Sequence, residues 1–145
     1  MEIVKYEAIY HDKVIQFLKD VVIGEFKLTD WEEYIENKDL DVYLSGNNNF
    51  LIILENDEII ATCGLLDIGD KTGKINSFYV KKDYRRKGFG RVLLMKQDFF
   101  AGLHFDEVIL CNNKVFNSLP FYEKFKFTPY RYETNGEIWC KRTYK

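Results

Sequence analysis

A strand, a basic glycine loop and a helix follow one another between Ile75 and Phe100, and this succession restricts the chain's fold more than any other stretch. Ile75-Asn76-Ser77-Phe78-Tyr79-Val80 is an apolar run of strand composition. Arg85-Arg86-Lys87-Gly88-Phe89-Gly90 follows it. Arg91 to Phe100 then reads as a helix reaching about Leu103, because Val92, Met95, Phe99 and Leu103 recur at helical spacing. The two glycines let the backbone turn tightly and come close to a ligand. The unpaired N–H groups of the first helical turn, together with the helix dipole, favour an anion there. Lys81, Lys82, Arg85, Arg86, Lys87 and Arg91 crowd the same window against one acid, Asp83. The loop is therefore expected to hold a polyanion.

Other glycine loops fail on the letters. No G-x-x-x-x-G-K-[ST] string is present, and a dinucleotide fingerprint needs a glycine where Leu93 stands. Lys87-Gly88-Phe89-Gly90 opens like an RNA-recognition motif, with Val92 also in place. Arg91 and Leu94, however, occupy positions where that motif needs stacking rings. It must also lie on a strand, whereas the spacing here is helical.

Arg85-x-x-Gly88-x-Gly90, with Val80 five residues upstream, resembles the coenzyme A loop of the GNAT-type N-acetyltransferases. Ser118-Leu119-Pro120-Phe121-Tyr122-Glu123-Lys124-Phe125-Lys126-Phe127 resembles the A-x-x-F-Y-E-K-L-G-F segment of the same family. The order strand, loop, helix, strand, F-Y-E-K helix agrees as well, and the likeness is sharp over residues 76–127.

The resemblance implies an acetyl-CoA-dependent N-acetyltransferase acting on a primary amine. Acetyl-CoA would lie between splayed fourth and fifth strands, its pantetheine arm along Phe78, Tyr79 and Val80. A backbone N–H near Phe78 or Tyr79 would polarise the acetyl carbonyl. The pyrophosphate would rest on the loop Arg85, Arg86, Lys87, Gly88, Phe89, Gly90 and Arg91, where arginine can bind phosphate in a bidentate manner. Tyr122 would protonate the departing thiolate. Asn113, with Asn112 as the adjacent alternative, would contact the coenzyme. Two residues depart from the family pattern: Lys126 replaces a glycine that ends the helix in a left-handed turn. Asn76 stands where a glutamate commonly relays the amine's proton, leaving Glu25, Asp30 and Glu33 as acids to consider. A GNAT fold that binds coenzyme without turnover, or an RNA-binding domain, are the alternatives. The partners expected are a small-molecule or peptide amine and, as the resemblance admits, a second copy of the chain; nucleic acid and membrane are not expected.

Composition agrees with one domain over residues 1–145. Hydrophobic residues make up 46% and aromatics 17%, which excludes disorder. No apolar run reaches the roughly 18 residues of a membrane span, and Met1 to Lys5 has neither the charge nor the apolar stretch of a signal peptide. Cys63, Cys111 and Cys140 lie in apolar runs without metal spacing, as expected of reduced thiols in a cytoplasmic protein. Two histidines are too few for a metal site. Residues 1–70 hold 16 acids and 5 bases, a balance of −11, and residues 71–145 hold 7 acids and 16 bases, a balance of +9. The acidic half is expected to line the site of a cationic acceptor.

The periodicity predicts strands at Ile3–Ile9, Asn49–Glu55, Glu58–Leu66, a run ending at Val80, Glu107–Cys111, Pro129–Thr134 and Glu137–Thr143. Helices are predicted over Asp12–Val22, from a Thr29–Glu32 capping box to Lys38, after the loop, and over Ser118–Phe125. Asn56-Asp57 and Asn135-Gly136 read as hairpin turns. The fold class expected is α+β: a mixed, mostly antiparallel sheet with helices on both faces.

Overall fold

Asn56 and Asp57 both adopt left-handed backbone angles, φ 52° and 62°. That pair closes a tight hairpin, and the sheet grows from it. The computed structural model describes residues 1–116 and 118–144. Its strands are β1 (Glu2–Lys5), β2 (Asn49–Glu55), β3 (Glu58–Asp67), β4 (Thr72–Val80), β5 (Glu107–Asn112), β6 (Thr128–Tyr132) and β7 (Ile138–Thr143). They form one sheet in the order β1-β2-β3-β4-β5-β7-β6. All neighbours run antiparallel except β4 and β5. The helices are α1 (His11–Leu18), α2 (Glu32–Glu36), α3 (Phe89–His104) and α4 (Leu119–Lys124). The mixed α+β sheet expected from the sequence is therefore present.

Alternation along β2 separates two cores. Leu51 and Ile53 join Cys63, Leu65, Ile75, Leu93, Leu94 and Leu110 beneath α3. Phe50, Ile52 and Leu54 join Val14, Leu18, Val22, Ile35 and Leu40 beneath α1 and α2. Helices thus cover both faces of the sheet.

Several boundaries differ from the sequence reading. β1 stops at Lys5: Tyr6 N still reaches Phe50 O of β2 at 2.8 Å, but the chain then bends into a 3-10 turn at Ala8–Tyr10. α1 ends at Leu18 and continues as a π-helical stretch, Lys19–Glu25, in which Phe26 N reaches Val21 O at 3.1 Å. The capping box is not made. Thr29 to Trp31 form a 3-10 turn with no side-chain cap, and α2 is five residues long. The Asn135-Gly136 turn is wider than a two-residue hairpin, with Glu133 N donating to Glu137 O at 2.9 Å across three residues.

The stripe Val92, Met95, Phe99 and Leu103 is not the buried face of α3. Met95, Phe99 and Leu103 are 53%, 74% and 65% exposed. The buried face is Leu93, Leu94, Gln97 and Ala101. A polar residue in the middle of that stripe disguised it.

Leu93→Ala should therefore cost about 2–5 kcal/mol, as large-to-small core changes do. Phe99→Ser should stay within about 0.5 kcal/mol, as surface changes do. Urea unfolding of both variants measures the difference, and equal losses would contradict this placement of α3.

Candidate active site

The site begins where two strands part. β4 and β5 pair in parallel over only three rungs, Thr72↔Glu107, Gly73↔Val108 and Lys74↔Ile109. Beyond Lys74 they diverge, and β5 turns its remaining pairing capacity to β7. The opening is a cavity of about 820 Å³ lined by β4 from Lys74 to Val80 and by Leu110, Cys111, Asn112 and Asn113.

β4 also carries an irregularity at this opening. Thr62 pairs with Tyr79 and Gly64 with Asn76, so Ser77 and Phe78 together stand opposite the single residue Cys63. This is a β-bulge, and Ser77 sits in it with φ 53°. Thr62 Oγ1 donates to Ser77 O at 2.7 Å. Next to the bulge, Gln97 Nε2 of α3 donates to Cys63 O at 2.7 Å and Asn49 O at 3.1 Å, while its Oε1 accepts from Asn49 Nδ2 at 2.9 Å. A Cβ on Gly64 would stand 2.9 Å from Asn76 O and from the Tyr43 hydroxyl, so only glycine leaves room for Tyr43 here.

The glycine loop enters α3 from the same end of β4. Gly88 holds φ 90° and its carbonyl accepts the first helical bond, from Val92 N at 3.0 Å. Among the described residues, no acceptor meets the N–H groups of Gly88, Phe89, Gly90 or Arg91. A Cβ on Gly90 would come no nearer than 3.4 Å to Val80 Cγ2. Internal packing therefore does not demand glycine there, whereas a ligand approaching the backbone would. Lys81 pairs with Glu58, leaving Lys82, Arg86, Lys87 and Arg91 without a carboxylate partner among the described residues. Orphan amides, a helix N-terminus and free bases make a chemically suitable cradle for a pyrophosphate.

Arg85 sits differently. Its guanidinium grips the Glu25 carboxylate with both terminal nitrogens, its Nε donates to Val80 O at 2.9 Å, and it stacks 5.2 Å from Phe26. Its side chain is therefore a strap between the loop and the π-helical stretch, and its guanidinium is not free for a phosphate. The same ion pair removes Glu25 as a free base. Lys87–Gly90 lies in a turn and a helix start and not on a strand, which disposes of the RNA-recognition geometry.

Tyr122 lines the cavity from α4, 6.1 Å between ring centres from Phe78. Burial pushes its hydroxyl well above the ordinary tyrosine value, with Cys63, Tyr79 and Cys140 acting in the same direction. The phenol thus stays protonated and can serve as an acid. Lys126 adopts φ 69°, with Lys126 N on Glu123 O at 3.0 Å and Phe127 N on Tyr122 O at 3.2 Å. The helix end closes as the family glycine would close it. Of the two asparagines, buried Asn112 accepts from Ser118 N at 3.3 Å, while Asn113 accepts from Val115 N at 2.9 Å; both border the cavity.

The other wall is aromatic. Phe116 meets Phe26 at 4.6 Å and Tyr79 at 5.4 Å, and Trp31 and Tyr34 complete it. Burial pushes the Tyr79 hydroxyl up to about 12. The expectation that the acidic half lines the site needs correction: of its acids only Asp30 borders this cavity. Asp30, Glu33 and Asp39 border an adjoining cavity of about 630 Å³. The second carboxylate on the main cavity is Glu137, whose lead-in to β7 gave no motif to read.

The Acetyltransferase (GNAT) family matches residues 7–127. A Staphylococcus aureus Mu50 acetyltransferase of the GNAT family is 22% identical, covering 99% of each chain with a TM-score of 0.83. Escherichia coli ElaA is 21% identical over 97% of this chain and 98% of that one, TM-score 0.77. The aminoglycoside 6'-N-acetyltransferase from Enterococcus faecium is 15% identical over 100% of this chain and 98% of that one, TM-score 0.72. These likenesses establish the fold. No curated protein sequence matches the chain.

Thr62→Val keeps the shape but strips Ser77 O of its donor, and Gln97→Leu strips Asn49 Nδ2 of its acceptor. Each should lower unfolding free energy by about 1–3 kcal/mol, the cost of an orphaned buried polar group. Denaturant titration measures this. A silent pair would show that the bulge is not held by these side chains.

Proposed function

The chain belongs to the GNAT acetyltransferase family, and we propose that it moves the acetyl group of acetyl-CoA to a primary amine. One observation carries this reading: bulged β4, the amide-rich loop and Tyr122 all border the same cavity of about 820 Å³.

The pyrophosphate rests on the amides from Arg86 to Arg91, with Arg86, Lys87 and Arg91 adding charge and Gly88 and Gly90 leaving room. The pantetheine arm follows Phe78, Tyr79 and Val80, where β4 has parted from β5. The N–H groups freed at the bulge polarise the thioester carbonyl. Tyr122 gives its proton to the departing thiolate, and Asn113 contacts the coenzyme across the cleft. Asn76 is an amide and takes no proton. The acceptor enters along the aromatic wall of Phe26, Trp31 and Tyr34. Three free cysteines support a reducing, cytoplasmic setting.

Acetyl-CoA at about 100 times its dissociation constant should stabilise the protein by roughly 2.7 kcal/mol, and Gly90→Asp should abolish most of that. Thermal melts with and without acetyl-CoA decide it, and an unmoved wild-type melt would refute the reading. Tyr122→Phe should keep the melting shift yet lose at least about 10-fold in turnover, since general acids typically contribute about 10²–10⁴-fold. Single-turnover rates against a panel of amines provide the measurement.

A further inference from the structure

We infer that Glu137 receives the acceptor's ammonium group and takes its proton, from the bank of the cleft that faces Asn76. The inference rests on the reading of the chain as an amine acetyltransferase and assigns the base that Asn76 does not provide.

The register places the two banks. Lys74↔Ile109 is the last rung joining β4 to β5. Two residues further along each strand stand Asn76 and Cys111, on the same face as that rung. Cys111 pairs with Trp139 of β7, and the Lys74 ammonium sits 5.2 Å from the Trp139 ring centre, so these side chains share one face. Glu137 stands just ahead of β7, two residues before Trp139, and its carboxylate acts on the Cys111 thiol, raising it. Lys74, Asn76, Cys111 and Glu137 all border the cavity. Where the strands part, β4 thus presents an amide and the β5–β7 side presents a carboxylate.

The other acids do not compete on equal terms. Glu25 is held by Arg85. Asp30 is exposed and shared with the adjoining cavity. Glu33 borders only that second cavity. Glu137 is partly buried and held in place: Asn135 Nδ2 donates to its Oε1 at 2.9 Å, and Glu137 N donates to Asn135 Oδ1 at 3.0 Å. The charged and titratable groups around it are Lys74 from β4, Cys111 from β5, and Glu133 and Arg131 from the hairpin. The last two are paired at 2.7 Å. Burial, with Glu137 beside it, pushes the Cys111 thiol up to about 11. It stays neutral, which leaves the carboxylate as the group able to accept a proton.

The step balances. Glu137 takes one proton from the ammonium and passes it to solvent. The neutral amine nitrogen forms the C–N bond as the C–S bond breaks. The thiolate takes the Tyr122 proton, and the surplus proton on the new amide nitrogen returns to Tyr122 through solvent. One proton leaves overall.

The test is kcat/KM against pH for transfer from acetyl-CoA to 2-phenylethylamine and to spermidine, with wild type, Glu137→Gln and Glu137→Asp. Near neutral pH Glu137→Gln should fall about 10²-fold or more. The gap should close as pH approaches the amine's own pKa, where free amine needs no base, and Glu137→Asp should recover part of the rate with the wild-type profile. Glu137→Gln matching wild type at every pH, or a deficit constant with pH as a merely structural role would produce, overturns the inference. Melting shifts with acetyl-CoA, read on the same samples, separate the two levels. Shifts equal in wild type and Glu137→Gln leave the coenzyme reading standing whichever way Glu137 falls, whereas a wild-type melt that acetyl-CoA does not move overturns both.

Discussion

One extra residue in β4 organises the cleft. Because Ser77 and Phe78 share a single partner position, the strand bends there and its backbone leaves the ladder. Such a defect inside a sheet is costly unless its polar groups are met. Thr62 meets one of them, and Gln97 clamps the adjacent backbone from α3; both side chains are wholly buried. The clamp fixes the helix that begins at the glycine loop against β2 and β3, next to the bulge. Glycine loop and bulge are thereby held at a set separation by one buried amide. Among the described residues, Asn49 Oδ1 is the one buried side-chain oxygen or nitrogen left without a partner, and it belongs to this same knot.

Charge links the two halves of the chain. The acidic first half and the basic second half meet at Glu25–Arg85 and Glu58–Lys81. The first of these joins the π-helical stretch to the glycine loop and sets Phe26 against Phe116. Wide π turns commonly mark functional segments, and here one delivers a carboxylate and an aromatic ring to the cavity wall. Arg142 plays a related part behind α4, donating to Phe125 O at 3.0 Å while pairing with Asp98 at 2.7 Å. The helix that bears Tyr122 is thus tied to α3 as well.

The fold was readable where local chemistry decides it: β2 and its hairpin, the glycine loop, and the F-Y-E-K helix; its left-handed close was not, because Lys126 stands where a glycine was expected to make it. It was not readable where long-range contacts decide. Gln97 broke the apolar pattern of α3 because its partners lie on β2 and β3, so the exposed stripe Met95, Phe99 and Leu103 looked like the core. The Thr29–Glu32 box lost to a 3-10 turn closed by Trp31 N on Leu28 O. Arg85 matched a phosphate-binding motif, yet its guanidinium turns to an acid 60 residues away. Glu137 had no motif, because only the register of β5 with β7 brings it to the cleft. A hydrophilic residue between two strand-like runs carries no sign of which wall it will face.

The three rungs between β4 and β5 have a consequence for how the molecule opens. β1 to β4 close on one another through antiparallel pairs, and β5 to β7 do the same. Among the described residues, the short parallel seam is the sheet's only hydrogen-bonded link between these two wings. Long-range parallel pairing is slow to form and forms late, so each wing can assemble before the seam closes. In the folded state, amides along that seam would exchange with solvent ahead of those within either wing. A small rotation about it would widen the cleft at its far end without breaking an antiparallel bond.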